Sequence, residues 1–405
     1  MRTKQQSSEP KGHPENKLPN QHDFSGKTLF VGIDIHKKRW QVAVFFHGLI
    51  LSNASIEGTA DKLIAYLQKH YPGAQFSCVY ESCAWGYTLC RSLQKADINC
   101  MIVNPADIPG TDWERRSKTD PVDARKLAIS LAAGLLRPIE VPSEKLQKQR
   151  SLMRLRKKLW SDLVRAKNRL KSELVFQGYV IPLQFDNRVW SKAFILWIQK
   201  QASEDEELKT TLEIMVEEVL QLKALLQKTE RKLKELMLSP AYQQNAELLR
   251  SIPGVGPMTT MLFLLEVGDV RRFRSFDALN RFVGLCPDMH SSGEKQNSRA
   301  LSVRHHHGLR SILVEASWQL IRKDPVLLDQ YKALTGRMKG QDAIIRIAKK
   351  LLRRMRAVLL SKRRYITGVN ELLTAAQLQA PKLAVPNKVG RPAKIKQKRK
   401  KSIVA

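Results

Sequence analysis

The sequence predicts an α/β domain at its N-terminal end, two long helices after it, and a mostly α-helical C-terminal domain. Three observations carry this reading. Between Thr28 and Pro105, short β-branched and aromatic runs alternate with segments whose apolar residues recur every three or four positions, as strands alternating with helices do. From about residue 144 to 238, apolar positions keep one helical face over unusually long stretches. From 247 to about 366 the helical period continues with Gly and Pro punctuation.

Residues 1–26 are rich in Gln, Ser, Pro, Asn, Lys and Glu, bury too little to offset ordering entropy, and are expected to form a disordered arm. The run TLFVGIDIHKKRWQVAVFFHGLILSNASI alternates apolar clusters about a charged turn and a Gly, which predicts a hairpin or meander of two or three strands. TADKLIAYLQKHY is helical, FSCVYES a strand, WGYTLCRSLQKAD helical and NCMIVNP a strand, so the sheet should be partly parallel. This domain is expected over 27–143, closing at the Pro-containing segment RPIEVPSEK.

A coiled-coil region is expected over 144–246. Its first helix, about 144–177, keeps Leu152, Leu155, Leu159, Leu163, Ala166, Leu170 and Leu174 on one face and is otherwise strongly basic. Its second, about 204–238, spaces Leu208, Leu212, Met215, Val219, Leu222, Leu226, Thr229, Leu233 and Leu236 by alternating fours and threes, a heptad broken at Thr229. A loop bearing Trp190 and Trp197 separates them, and the pair suits either an antiparallel coiled-coil hairpin or a dimer seam. The C-terminal domain spans 247–366 and a basic tail 367–405, whose last 25 residues hold nine Lys or Arg and no acid. Arg391, within Gly390-Arg391-Pro392, resembles the core of an AT-hook that reads a narrow minor groove; a nonspecific basic tail is the alternative.

The 405 residues include 70 Lys and Arg against 38 Asp and Glu, a net charge of +32, while 43% hydrophobic residues supply a core. Such a field concentrates polyanions, and nucleic acid is the first partner it suggests. No stretch of about 18 consecutive apolar residues and no apolar leader segment occurs, so the chain is expected in the cytosol, without a membrane partner. Cys78, Cys83, Cys90, Cys100 and Cys286 form no C-x-x-C pair and are expected as reduced thiols.

Four acids stand out from the surface charge. Asp34 lies in the apolar strand FVGIDIH, where an uncompensated carboxylate is costly, and Glu81 ends the strand SCVYES. Asp120 and Asp123 open a helix at i, i+3 and share a face, with Asp120 as its N-cap and Pro121 at the first helical position. Singly each has an ordinary reading as cap, strand-end acid or first-turn charge. Jointly they suit two divalent metals, and carboxylates without His or Cys suit Mg²⁺ better than zinc. A first-strand Asp, a later-strand Glu and a closing D-x-x-D helix resemble the layout of the RNase H and RuvC-like nuclease fold.

Two further segments can meet phosphates. The turn I-P-G-V-G-P, with Gly254 and Gly256, is similar to a helix-hairpin-helix, although a Gly-rich turn packed in a core has the same pattern. In residues 282–316, Ser291 and Ser292 precede Gly293 and are followed by Lys295, Arg299, Arg304 and Arg310, a cationic loop in which a serine could be activated for attack on phosphorus. His305, His306 and His307 cannot all face one ion and read as a nucleic-acid-facing turn.

Taken in order, G-I-D-I-H-K, V-Y-E-S, K-T-D-P-V-D-A, S-I-P-G-V-G-P and G-L-C-P-D-M-H-S-S-G resemble the DEDD transposases of the insertion-sequence 110 family, relatives of the Piv invertase regarded as RNA-guided recombinases. The resemblance runs from about Leu29 to Tyr365. It implies a RuvC-like N-terminal domain, a coiled-coil insertion and a C-terminal transposase domain. It places the metal-binding tetrad on Asp34, Glu81, Asp120 and Asp123 and the nucleophile on Ser292, the serine directly before Gly. It further implies Mg²⁺-assisted serine attack on DNA, a phosphoserine intermediate, strand exchange between donor and target duplexes, and a noncoding bridge RNA that supplies sequence specificity. Where the family commonly has Ser-Lys-x-Gly, this chain has Ser302-Val303-Arg304-His305. Because two duplexes require four strand cleavages, a homodimer pairing into a homotetramer is expected, associated with the nucleoid when active. A hydrolytic RuvC-like nuclease or resolvase, and a catalytically silent DNA-binding protein, are the competing expectations.

Overall fold

The structure is a computed structural model. It describes residues 23–109, 119–185, 190–204, 206–292, 295–302 and 305–367, the side chains of 202–205 and 288–300 excepted. The chain divides between Ser143 and Glu144 into two compact units.

The first unit opens with a meander of β1 (Thr28–Ile35), β2 (Arg39–Phe46) and β3 (Leu49–Glu57), each antiparallel to the next. Helix α1 (Ala60–His70), capped by the Thr59 hydroxyl, crosses to β4 (Gln75–Glu81), and α2 (Thr88–Lys95) crosses to β5 (Asn99–Val103). β1, β4 and β5 are parallel, giving the order β3-β2-β1-β4-β5, the mixed sheet the alternating pattern predicts. Strand alternation sorts the side chains. Leu29, Val31 and Ile33 of β1 and Cys78 and Tyr80 of β4 pack with Leu63, Leu67, Leu89 and Leu93 of α1 and α2. Val79 and Val103 face the other way and pack with Leu127 and Leu131 of α3 (Asp120–Ala132).

The second unit begins with α4 (Glu144–Phe176), α5 (Lys192–Glu204) and α6 (Lys209–Met237). Arg156 pairs with Glu230 and Arg169 with Glu218, so numbers rise along α4 as they fall along α6, and the two helices are antiparallel. Leu163, Ala166, Leu170 and Leu174 of α4 share one core with Leu212, Val216, Val219 and Leu226 of α6. Thr229, the break in the heptad, is buried and donates its hydroxyl to Leu225 O at 2.9 Å. Three details depart from expectation. Leu155 is 46% exposed while its neighbour Met153 is buried, because the lower end of α4 packs into the C-terminal core and not against α6 alone. The second long helix starts at Lys209, not at 204. The expected tryptophan-rich loop contains α5, whose Phe194 and Ile198, one turn apart, are buried, with Trp190 and Trp197 packed around Phe194.

The rest of this unit comprises α7 (Gln243–Arg250), α8 (Pro257–Val267), α9 (Phe276–Val283), α10 (His307–Leu320), α11 (Pro325–Thr335) and α12 (Gly340–Ser361). Between α9 and α10 stands an antiparallel hairpin, β6 (Pro287–Ser292) and β7 (Lys295–Leu301), where only a polar loop was expected. Its strands, PDMHSS and KQNSRAL, are too polar for an alternating apolar signal. All five cysteines are free thiols, and among the described residues no helix is long and apolar enough to cross a membrane.

Candidate active site

The acids are assembled by sheet register and one glycine. β1 and β4 run parallel with Ile33 opposite Tyr80, so Asp34 and Glu81 follow one step later at adjacent strand ends. By alternation they take the parity of Gly32 and Val79, the sheet face covered by α3. A Cβ on Gly32 would lie 2.1 Å from Ala124 O and 2.5 Å from Ala128 N, so the absence of a side chain lets α3 lie directly on β1. That contact brings the first turn of α3, with Asp120 and Asp123, to Asp34.

The start of α3 is held by backbone and amide hydrogen bonds. Thr119, not Asp120, is the N-cap: it is extended, and its carbonyl accepts from Val122 N at 2.9 Å and Asp123 N at 3.0 Å. Asp120 and Pro121 are therefore the first two helical residues and the helix begins one residue earlier than expected, because Thr119 is the last residue outside the helical region. Asn53 Nδ2 of β3 donates to Pro121 O at 3.0 Å, while Asn53 Oδ1 accepts from Gln41 Nε2 of β2 at 2.7 Å. Two strands thus anchor the helix start.

His36, which the sequence reading did not single out, stands at the centre. Its Nε2 lies 3.1 Å from Asp34 Oδ2 and 3.3 Å from Asp120 Oδ2. Ionised carboxylates only accept, so Nε2 carries the hydrogen that both oxygens share. The three ligand atoms lie within 4.8 Å of one another. Burial pushes the Asp34 carboxyl above its usual range; His36 works against the shift, and Asp120 and Asp123 add to it. Among the described residues no Lys or Arg pairs with Asp34 or Asp120. The group is short of positive charge, and two hard oxygens with one imidazole nitrogen fit a divalent cation. Of the four expected acids, Asp34 and Asp120 are gathered with His36 within that distance, and Glu81 and Asp123 are not in that set of three. Residue period was the available signal, since His36 is two residues beyond Asp34 along an extended segment.

The serine lies in the second unit. Ser292 is the last residue of β6 and pairs with Lys295 across the hairpin turn; Ser291 pairs with Gln296. The side chains of Ser291, Ser292, Lys295 and Arg299 lie outside the described residues, as do Arg304 and Arg391 entirely. The hairpin base is closed by Ser302 N donating to Cys286 O at 3.1 Å. Arg310 Nη1 donates to Gly284 O at 3.1 Å and Ser302 O at 3.2 Å, and Nη2 meets His305 Nε2. Arg310 therefore turns inward to brace both ends of the hairpin.

Two of the three histidines turn inward, unlike the expected nucleic-acid-facing turn: His305 and His306 are half-buried and engaged with Arg310 and Glu266, while His307 is exposed. His306 caps α10, its Nδ1 accepting from Leu309 N at 3.1 Å, which puts the ring hydrogen on Nε2, 3.4 Å from Glu266 Oε2. Glu266, on α8, is only 4% exposed. Arg154 reaches both of its oxygens at 3.3 Å, and Arg150 lies 3.7 Å away. Burial would raise its pKa, but hydrogen bonds from His306 and Arg154 overcome that and hold the carboxyl at about 2.

The two glycines of the I-P-G-V-G-P turn differ. Gly254 has φ +83°, and a Cβ there would lie 2.6 Å from Ala316 O, so it serves the close packing of the turn on α10. Gly256 caps α8 and faces open space.

Sequence comparisons agree with this anatomy. Residues 31–178 match the DEDD transposase model of the IS110 group, and residues 246–332 match the model described as the IS116/IS110/IS902 transposase family. The chain is 27% identical over 324 residues to the transposase for insertion sequence element IS1533 of Leptospira borgpetersenii, covering 79% of this chain and 92% of that one. It is 27% identical over 304 residues to the putative transposase y4qE of Sinorhizobium fredii, 72% of each chain. A transposase for IS1111A of Coxiella burnetii is 23% identical over 244 residues, 60% of this chain and 65% of the relative. The two family models lie on the two parts of the chain that carry the acid cluster and the serine hairpin, and the chain belongs to the IS110 family of transposases.

Proposed function

We propose that this transposase cuts and rejoins DNA with a divalent ion, Mg²⁺ by preference, held by Asp34 and Asp120 with Glu81 and Asp123 nearby, and with Ser292 as nucleophile. The observation that carries the reading is the convergence of Asp34, near the end of β1, with His36 and with Asp120 of the first turn of α3, where no Lys or Arg among the described residues pairs with Asp34 or Asp120. His36 holds the two carboxylates together by a shared hydrogen on Nε2 and would become a nitrogen ligand only on losing that hydrogen to an incoming ion. When bound, a divalent ion would neutralise charge developing on a phosphate.

In the reaction Ser292 Oγ forms a bond to a DNA phosphorus, loses its proton, and one strand oxygen leaves as a hydroxyl. The phosphoserine ester is then attacked by a strand hydroxyl of the other duplex, which restores the serine and completes the exchange. The position of Ser292 at the tip of a braced hairpin supports this role, since Arg310 fixes the hairpin base without occupying its tip. Guidance by a bridge RNA, and a dimer pairing into a tetramer, come from the family resemblance and the four cleavages required. The helix-hairpin-helix and coiled-coil readings belong to the same proposal: α7, α8 and Gly256 as a backbone phosphate contact, α4 and α6 as a spacer.

Purified protein with Mg²⁺, co-expressed RNA and donor and target DNA, run beside Ser292→Ala and Asp120→Ala, tests the chemistry. Protease-sensitive protein–DNA adducts lost in both variants are expected. Cleavage that persists in Ser292→Ala without adducts would make the enzyme a hydrolytic nuclease and remove the serine from the mechanism.

A further inference from the structure

A net charge of +32 says little until each cation's partner is known. Along α4 much of the basic face is paired: Arg154 with Glu266, Arg156 with Glu230, Arg165 with Asp162 and Arg169 with Glu218. Helix α12 is organised differently. Arg346, Lys349, Lys350 and Arg353 stand at i, i+3, i+4 and i+7, one face of the helix. The opposite face, with Ile344, Ile347, Ala348, Leu351 and Leu352, is in the core, so the cationic face is fixed in orientation.

This face and the end of α11 enclose a groove of about 370 Å³, to which Arg337 adds a fifth cation and Gln330 a polar amide. No carboxylate lines it, and none of the five cations has a carboxylate partner among the described residues. The nearest acids on the two helices, Asp329 and Asp342, are exposed and outside the lining. Lys350 contacts Gln330, and Arg353 lies over the Phe276 ring, 4.6 Å from its centroid, which orients the guanidinium. Burial and the neighbouring Arg354 and Arg353 disfavour the charged form of Lys350. Five clustered like charges in a concave site cost stability unless an anion neutralises them.

We propose that the groove between α11 and α12 binds the phosphodiester backbone of a nucleic acid. The cationic row from Arg346 to Arg353 extends about 10 Å, which along a duplex spans roughly three phosphates of one strand. Recognition is of backbone charge and carries no sequence information. This contact rests on the proposed nucleic-acid function but is independent of Ser292 and of the metal group.

The test is fluorescence anisotropy of the full-length chain in EDTA across a salt series, with a random-sequence DNA duplex and a base-paired RNA hairpin as separate probes. The groove variant Arg346→Gln/Lys349→Gln/Arg353→Gln is compared with a charge-matched variant of paired cations, Arg165→Gln/Arg169→Gln/Lys232→Gln. Thermal melts establish that both fold. The groove variant should lose at least about 10-fold in affinity and about 3 units of salt slope, roughly 0.9 per cation, for one or both probes, while the control changes little. Loss on duplex DNA alone assigns the groove to the DNA, and loss on RNA alone to the RNA. Equal losses in the two variants, or none in the groove variant, would overturn the proposal. Because no divalent ion is present, failure here leaves the proposed chemistry untouched, and failure of that chemistry leaves this result standing.

Discussion

Asp34 in the first unit and Glu266 in the second are both carboxylates drawn largely out of water, with side chains 22% and 5% exposed. Glu266 receives Arg154 and His306, with Arg150 close by, and its carboxyl falls to about 2. Asp34 receives one shared imidazole hydrogen and two further acids, and its carboxyl rises. The chain completes the charge balance at Glu266 and leaves it open at Asp34. A buried acid paired with cations holds structure; one that meets other acids and a single imidazole is suited to a cation from outside.

The largest effect is expected from Glu266→Ala. It leaves Arg150, Arg154 and His306 facing a void, and should cost about 3–5 kcal/mol in denaturant unfolding. A loss below about 1 kcal/mol would mean that the arginines find other partners and that Glu266 is not a keystone.

Acid unfolding sharpens the same contrast. Glu266 has a depressed folded-state pKa, so its contribution is present above its unfolded value near 4.5 and is lost as pH falls toward about 2. The wild-type chain should therefore lose about 3 kcal/mol across that window from this group, and Glu266→Gln should flatten the profile there. Identical acid profiles for the two proteins would show that the group does not titrate as described.

Gly32→Ala comes next. The added methyl meets backbone atoms of α3, so the helix must shift, at about 1–3 kcal/mol of stability, and should carry Asp120 away from Asp34. Melting curves with and without Mg²⁺ check both parts; a variant as stable as wild type that still responds to Mg²⁺ would mean the helix is not positioned through this contact. The smallest effect is predicted for Asp34→Asn without metal. Removing a carboxylate disfavoured by burial should leave the melting temperature unchanged or slightly higher, whereas a marked drop would mean that the His36 contact outweighs the burial cost.

Strand alternation and helix period made the sheet and both long helices legible, and the isolated acids in G-I-D-I-H-K, V-Y-E-S and K-T-D-P-V-D-A pointed to the strand ends and the α3 start. What stayed hidden depends on contacts distant in sequence. His36 becomes notable only when Gly32 lets α3 bring Asp120 to it, and His306 looks solvent-facing until Glu266, 40 residues earlier, is placed beside it. The β6–β7 hairpin was illegible for a different reason, since its sequences PDMHSS and KQNSRAL carry no alternating apolar signal. Arg310 looked like a phosphate ligand because its carbonyl partners, Gly284 and Ser302, leave no mark in side-chain composition.

The most direct test of the account is a calorimetric titration of Mg²⁺ or Mn²⁺ into the full-length chain without nucleic acid, repeated for Asp34→Asn and for Asp120→Asn. The wild-type chain should bind the ion saturably with a rise in melting temperature, both lost in each variant. Equal binding by all three proteins, or none by the wild type in either metal, would contradict the assignment of this acid cluster as the divalent-ion site.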